Sequence, residues 1–169
     1  KGFRNDKFKS NINIVGKEVL QKIKFEKTPV IFISGHFGNF ELMAMEIEKS
    51  GVNLSAIYRP LNNIFLNVLM ERIRKKYICK NQIKKGTRGV RELLRLYKKG
   101  NSIALMIDQR VSQGIKSKFF DEEAFTTTIP AQFIKKFNCK VVPISIERHN
   151  DINFNIKVEK PIEFSKNSS

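Results

Sequence analysis

The sequence has no long hydrophobic run and very few cysteines. Its longest unbroken apolar stretches are short, such as residues 30–33 and 103–107, whereas a membrane-spanning helix needs about 18 consecutive apolar residues. The two cysteines, Cys79 and Cys139, form no CxxC pair and belong to no Cys/His cluster with zinc spacing. They predict two free thiols in a reducing compartment.

Internal repeats, Pro-rich linkers and Gly/Ser-rich linkers are also missing from the sequence. A chain of 169 residues without such breaks predicts one domain, and this length is enough to bury a sizeable core. Hydrophobic residues make up 41% of the chain and include 14 Phe. That composition argues against intrinsic disorder.

Acidic residues are scarce, since 16 Asp and Glu face 32 Lys and Arg, for a net charge of +16. Lys outnumbers Arg, and Ile and Asn are abundant, which is the bias that AT-rich codons produce. A field this positive still attracts anionic partners such as nucleic acid, anionic lipid or an acidic carrier protein. Charge by itself does not choose among these partners.

Strand and helix patterns alternate along the chain, which predicts an α/β fold with a mostly parallel central sheet flanked by helices. The last two strands have no helix between them, so we expect an antiparallel hairpin near the C-terminus, on one edge of the sheet. Residues 116–120 read as a further edge strand. The predicted strands are 29–34, 53–58, 102–107, 140–147 and 152–159, and the predicted helices are 40–49, 63–77, 87–98 and 129–137.

Three unusual residue pairs follow directly after predicted strands. They are Gly35-His36, Arg59-Pro60 and Asp108-Gln109. In open α/β sheets, ligands bind outside the carboxyl ends of the strands. The coincidence predicts a functional site at this edge of the sheet.

His36 lies in a glycine-containing turn between a strand and a helix for which Asn39 is the expected N-cap. Glu41 follows in the first turn of that helix, and Gly35 and Gly38 allow the loop to fold back toward it. A histidine with a carboxylate partner is the pair that general base catalysis needs, and the helix N-terminus offers N–H groups for an oxyanion or phosphate. A structural histidine, with Glu41 placed to favour the helix dipole, is the alternative.

The sequence offers no evident covalent nucleophile. Ser34 lies near His36 but is a weak candidate. The chemistry that this pattern favours is direct transfer to a hydroxyl group that His36 deprotonates.

These residues resemble a known family. His36 to Glu41 (HFGNFE) is similar to the HxxxxD/E motif of lysophospholipid-type acyltransferases. The full ordered set resembles the bacterial lipid A biosynthesis acyltransferases, the lauroyl and myristoyl transferases. Two departures occur: Asp121 stands where the family often has Gly, and Asn62-Asn63 and Asn67 replace its usual Asn-Pro and Asp. The matching segments are 34–41, 58–63, 86–88, 104–109, 119–120 with 126–131, and 141–143.

The resemblance implies transfer of a fatty acyl group from acyl carrier protein, or from acyl-CoA, to a hydroxyl of a lipid A precursor. It implies His36 as the general base, Glu41 as the residue that orients it, and neither a metal nor another cofactor. Arg59 would bind an acceptor phosphate or carboxylate, and Arg88 is the second candidate for this role. Either arginine could instead form a surface ion pair. Asp108 could hold its loop in place rather than contact substrate. The substrate-binding residues expected from the resemblance are Phe37, Gly38, Asn39, Arg59, Pro60, Arg88 and Asp108.

The resemblance also implies a location at the cytoplasmic face of the bacterial inner membrane, in lipopolysaccharide synthesis. The chain opens with Lys1, so we expect residues 1–169 to be a single catalytic domain whose N-terminal membrane anchor lies outside this sequence. The basic clusters 72–76 and 84–85 are either solvated helix faces or docking sites for anionic headgroups or carrier protein.

Two other functions compete with this interpretation. The first is an acyltransferase for another lipid acceptor, such as a glycerolipid or a phosphoinositol mannoside. The second is a basic nucleic-acid-binding module, which would bind with a steep salt dependence. No RNP, zinc or helix-turn-helix signature supports the second, so we expect no nucleic-acid partner.

Overall fold

The protein folds around a seven-stranded sheet in the order β1-β9-β8-β2-β5-β3-β4. A computed structural model describes residues 9–109, 111 and 114–164. The strands are β1 (Ile12–Val15), β2 (Ile31–Ser34), β3 (Leu54–Tyr58), β4 (Asn81–Lys84), β5 (Ser102–Met106), β6 (Ile115–Phe119), β7 (Glu122–Thr126), β8 (Val141–His149) and β9 (Asn153–Val158). The helices are α1 (Lys17–Glu26), α2 (Phe40–Lys49), α3 (Ile64–Tyr77), α4 (Thr87–Lys98) and α5 (Ile129–Phe137).

The sheet is mostly parallel, which confirms the predicted fold class. Strands β8, β2, β5, β3 and β4 run side by side in parallel, and β8 and β9 form the predicted antiparallel hairpin. The prediction that this hairpin lies on the sheet edge is wrong. Strand β1 pairs in parallel with β9 and takes the edge position itself.

Residues 115–126 form a separate two-stranded hairpin, so residues 116–120 are not an edge strand of the main sheet. Its two-residue turn, Phe120-Asp121, has positive φ at both positions, 49° and 65°. A tight turn of this kind needs left-handed backbone, which Asp tolerates better than most residues.

Hydrophobic packing covers both faces of the sheet. One face packs α1 and α2 against the sheet and buries residues such as Phe32, Met43 and Ile146. The other face packs α4 and α5 and buries Leu93 and Phe133. None of the helices in the described part of the chain combines the length and the apolar character needed to cross a membrane.

Candidate active site

The order of the strands brings His36 next to Asp108. Strand β2 pairs with β5 in a register that places Ser34 beside Met106. His36 and Asp108 each lie two positions beyond that pair, at the same carboxyl edge of the sheet. The chain therefore delivers both side chains to one point, although 72 positions separate them in sequence.

Asp108 binds His36 through two hydrogen bonds. The backbone N–H of His36 donates to Oδ2 at 2.8 Å, and the imidazole Nδ1 lies 2.8 Å from Oδ1. Burial acts to raise the pKa of the Asp108 carboxyl, but the two hydrogen bonds from His36 outweigh burial, and the net shift is downward. An ionised carboxylate only accepts, so Nδ1 carries the proton and Nε2 of the neutral ring is left as the basic nitrogen.

The turn around His36 depends on two glycines. A Cβ on Gly35 would lie 2.7 Å from the Phe37 ring and 3.2 Å from Asp108 Oδ2. Gly38 has a φ of 46°, in the left-handed region that side chains disfavour. The Phe40 ring packs edge-on against the imidazole, with the centroids 4.8 Å apart. These contacts fix the imidazole before any substrate binds.

Glu41 has a different partner from the one the sequence predicted. Its Oε1 accepts a hydrogen bond from Arg74 Nε at 2.7 Å, and the described residues include no hydrogen bond between Glu41 and His36. Asn39 is the N-cap of α2, as predicted; its side chain makes no capping hydrogen bond, and its backbone carbonyl accepts from the N–H of Leu42 at 3.0 Å. The partner of Glu41 differs from the prediction because Arg74 comes from a distant segment that the local spacing does not report.

A cavity of about 370 Å³ opens beside His36. Its floor is mainly apolar and is built by side chains from α2, β3, β5 and α5. Three cationic residues, Arg59, Arg74 and Lys85, also line it, together with one carboxylate, Glu41. The cavity therefore combines an apolar floor with a net positive charge, which suits a ligand that has both a hydrocarbon part and an anionic part. The apolar lining residues include Phe40, Ala44, Ala56, Ile57, Ile78, Leu105, Met106 and Ile129.

Tyr58 contributes a buried polar atom to the cavity wall. Its hydroxyl oxygen has no hydrogen-bond partner among the described residues. Burial first, and the Glu71 carboxylate second, raise the pKa of Tyr58 to about 12. The phenol therefore stays neutral, with its hydroxyl close to the Glu71 carboxylate.

The structure does not bring together all the substrate-binding residues that were predicted. Arg88 is exposed and lines a separate basic groove with Lys80 and Lys84, so it does not join Arg59 at the cavity. Phe37 is exposed on the loop after His36. Gly38, Asn39 and Pro60 do not line the cavity, whereas the nearby residues His36, Phe40 and Arg59 do.

The weak nucleophile candidate is turned away from the cavity. Ser34 is buried, and its hydroxyl donates to the Gly35 carbonyl at 3.3 Å and lies 3.6 Å from Met43 Sδ. Cys79 and Cys139 are free, as predicted, and both are buried. Burial raises the pKa of Cys79 to about 12. Within the described residues, no group of three His, Cys, Asp or Glu side chains could hold a metal ion.

Sequence reasoning missed the position of Arg74 and the partner of His36. Arg74 was grouped with the solvated or docking cluster 72–76, yet its side chain reaches inward to Glu41 and over the Tyr58 ring. Asp108 was recognised as a residue after a strand, but not as the imidazole partner. The available signal was that His36 and Asp108 lie equally far beyond the ends of their strands. Using that signal requires knowing that β2 pairs with β5.

Comparison with known protein families identifies the chain. The family model described as bacterial lipid A biosynthesis acyltransferase matches residues 2–169. No curated protein matches the chain in a sequence search. The family match covers the sheet, the His36 turn and the cavity, and it confirms the resemblance carried by the ordered motifs. The chain belongs to the bacterial lipid A biosynthesis acyltransferase family.

Proposed function

We propose that this protein transfers a fatty acyl group from acyl carrier protein to a hydroxyl of a phosphorylated lipid A precursor, with His36 as the general base. The observation that carries the proposal is the pair of hydrogen bonds between His36 and Asp108. They favour the tautomer in which Nε2 accepts a proton.

In the proposed reaction, Nε2 of His36 removes the proton of the acceptor hydroxyl while that oxygen attacks the thioester carbonyl. The C–O bond forms, the tetrahedral intermediate collapses, and the C–S bond breaks. The departing thiolate takes the proton from the imidazolium, so no cofactor is consumed and the base returns to its neutral form. Asp108 stabilises the imidazolium between these two proton transfers. A positioned general base contributes about 10²–10⁴-fold to the rate.

The charge and lining of the cavity support an anionic lipid as the acceptor. A guanidinium presents a planar fork that suits phosphate, and Arg59 lines the cavity close to His36. The apolar floor suits an acyl chain. Arg88, which lies outside the cavity, is proposed only as a contact for a more distant anionic part of a substrate.

The proposed site of action is the cytoplasmic face of the inner membrane, where a membrane lipid acceptor and a soluble carrier protein meet. The net charge of +16 supports attraction to both partners, because each is anionic. Acyl-CoA is the competing donor, and it shares the thioester chemistry.

The test is an acyl-transfer assay that offers each donor with a lipid A precursor, and then with competing glycerolipid and phosphoinositol mannoside acceptors. We expect preference for the lipid A precursor and for the carrier-protein thioester. Preference for a glycerolipid contradicts the proposal.

A further inference from the structure

Helix α3 (Ile64–Tyr77) exposes apolar side chains and turns polar ones inward, the reverse of an ordinary surface helix. It buries none of its side chains fully, although a surface helix of a globular domain normally turns an apolar stripe inward. Its exposed large hydrophobic residues are Ile64, Phe65, Leu66, Val68, Leu69 and Ile73. Phe65 is 88% exposed and Ile64 is 77% exposed. An apolar surface this large on one helix indicates a binding surface.

The inward side of α3 carries polar residues that hold it to the site. Arg74 Nε donates to Glu41 Oε1 at 2.7 Å, and Glu71 Oε2 lies 3.8 Å from Lys84 Nζ. Asn67 Oδ1 accepts from the backbone N–H of Leu61 at 3.0 Å. Turning the helix over to bury its apolar side would break all of these contacts. The outward apolar face is therefore fixed by the fold.

The apolar half of α3 lies at the same edge of the sheet as the cavity. Glu71 already reaches Lys84, the last residue of β4, and Arg74 stacks over Tyr58, the last residue of β3. Residues 64–70 precede them in the helix, so this half of α3 begins at the carboxyl edge of the sheet. His36 and the cavity lie at this same edge.

Cations border the apolar face at the C-terminal end of the helix. Arg72, Lys75 and Lys76 follow it on the same helix, and the next turn adds Lys80. The single acidic residue of α3, Glu71, is half-buried and paired with Lys75 at 2.9 Å and with Lys84. Apolar side chains bordered by Lys and Arg are the pattern of segments that lie on anionic bilayers. A second copy of the chain would bring these cations against one another, which disfavours self-association.

We propose that the outward face of α3 docks on the surface of an anionic phospholipid bilayer, with Phe65 and Leu69 inserted among the lipids and Arg72 and Lys76 at the phosphates. This rests on the proposed function only in one respect: a membrane lipid acceptor would then reach His36 from the side that faces the bilayer. The docking itself requires no acyl transfer.

The experiment is flotation of the 169-residue chain with vesicles of phosphatidylcholine, alone or with about a third of phosphatidylglycerol. We expect binding to the anionic vesicles that weakens with added salt. Phe65→Ser with Leu69→Ser should lower the vesicle affinity at least about tenfold. Arg72→Gln with Lys76→Gln should lower it about fivefold per cation, on anionic vesicles only.

Phe25→Ser is the matched control. Phe25 is also 88% exposed, but it lies near the end of α1, just before β2 begins, and therefore at the opposite edge of the sheet. Its substitution should leave vesicle binding unchanged. Circular dichroism and the melting temperature check that every variant is folded, which is expected because all the substituted side chains are exposed.

Three results would overturn the proposal. The first is equal binding by the parent and the Phe65→Ser, Leu69→Ser variant. The second is an equal loss on Phe25→Ser. The third is no binding to anionic vesicles together with a concentration-dependent dimer that the double variant abolishes, which would assign the face to self-association. Acyl transfer to a detergent-dispersed acceptor, measured on the same variants, reports on the proposed function separately.

Discussion

Two carboxylates at the carboxyl edge of the sheet, Asp108 and Glu41, have similar exposure and different partners. Their side chains are 37% and 30% exposed. Asp108 accepts two hydrogen bonds from His36, whereas Glu41 pairs with Arg74. Burial therefore does not distinguish them. The difference lies in which neighbour the fold supplies: the His36 imidazole for Asp108 and the Arg74 guanidinium for Glu41.

Removing the imidazole should have the largest effect. We expect His36→Ala to lower kcat by about 10²–10⁴-fold, because the general base is lost. Acyl transfer by the complete protein, with carrier-protein thioester and lipid A precursor, measures the loss. Turnover equal to that of the parent would exclude His36 as the base.

Asp108→Asn is expected to have the next largest effect. An amide cannot hold the imidazolium as a carboxylate does. A hydrogen bond to a charged group is worth about 1.5–3 kcal/mol, or about 10- to 150-fold in rate. The loss should fall on kcat, since the substituted side chain lies behind the imidazole. If Glu41 is the true orienting residue, Asp108→Asn will leave kcat nearly intact.

Glu41→Gln should have a smaller effect of another kind. It removes the carboxylate that neutralises Arg74 at the cavity wall, so we expect a lower KM for the anionic acceptor and a kcat reduced by less than about tenfold. In a double-mutant cycle with Arg74→Gln, the coupling in the free energy of unfolding should be about 0.2–1 kcal/mol, since the pair is partly exposed. A kcat loss that matches the loss for Asp108→Asn would instead make the two carboxylates equivalent.

The smallest effect should be seen in how the stability of the fold depends on the ionisation of Asp108 at acid pH. The folded state lowers the pKa of Asp108 from 3.8, so ionised Asp108 stabilises the fold above about pH 4, and this contribution is lost as pH falls through the lower value. The difference in unfolding free energy between the parent and Asp108→Asn should therefore shrink between about pH 5 and pH 3. Denaturant titrations at several pH values measure it. A difference that grows on acidification has the wrong sign for this account.

The regular elements with strong apolar patterns were predictable from sequence, and the polar or short ones were not. The bounds of α2, α4 and α5 agree with the hydrophobic periodicity and with the turn residues that flank them. Strand β4 (NQIK) was missed because an edge strand with three polar residues shows no alternation. Strand β1 and helix α1 were also missed, and with them the true edge of the sheet.

For the site, the sequence determined the chemistry available and its approximate place. His36, Arg59 and Asp108 follow strands in a parallel sheet, so their meeting at one edge could be expected. Their pairing could not, because local spacing reports only neighbours along the chain. The contact of His36 with Asp108 depends on β2 lying beside β5. That of Glu41 with Arg74 depends on α3 returning past the end of β3, where the Arg74 guanidinium lies over the Tyr58 ring. Those long-range contacts are decided by how the whole sheet packs, and only the tertiary structure contains them.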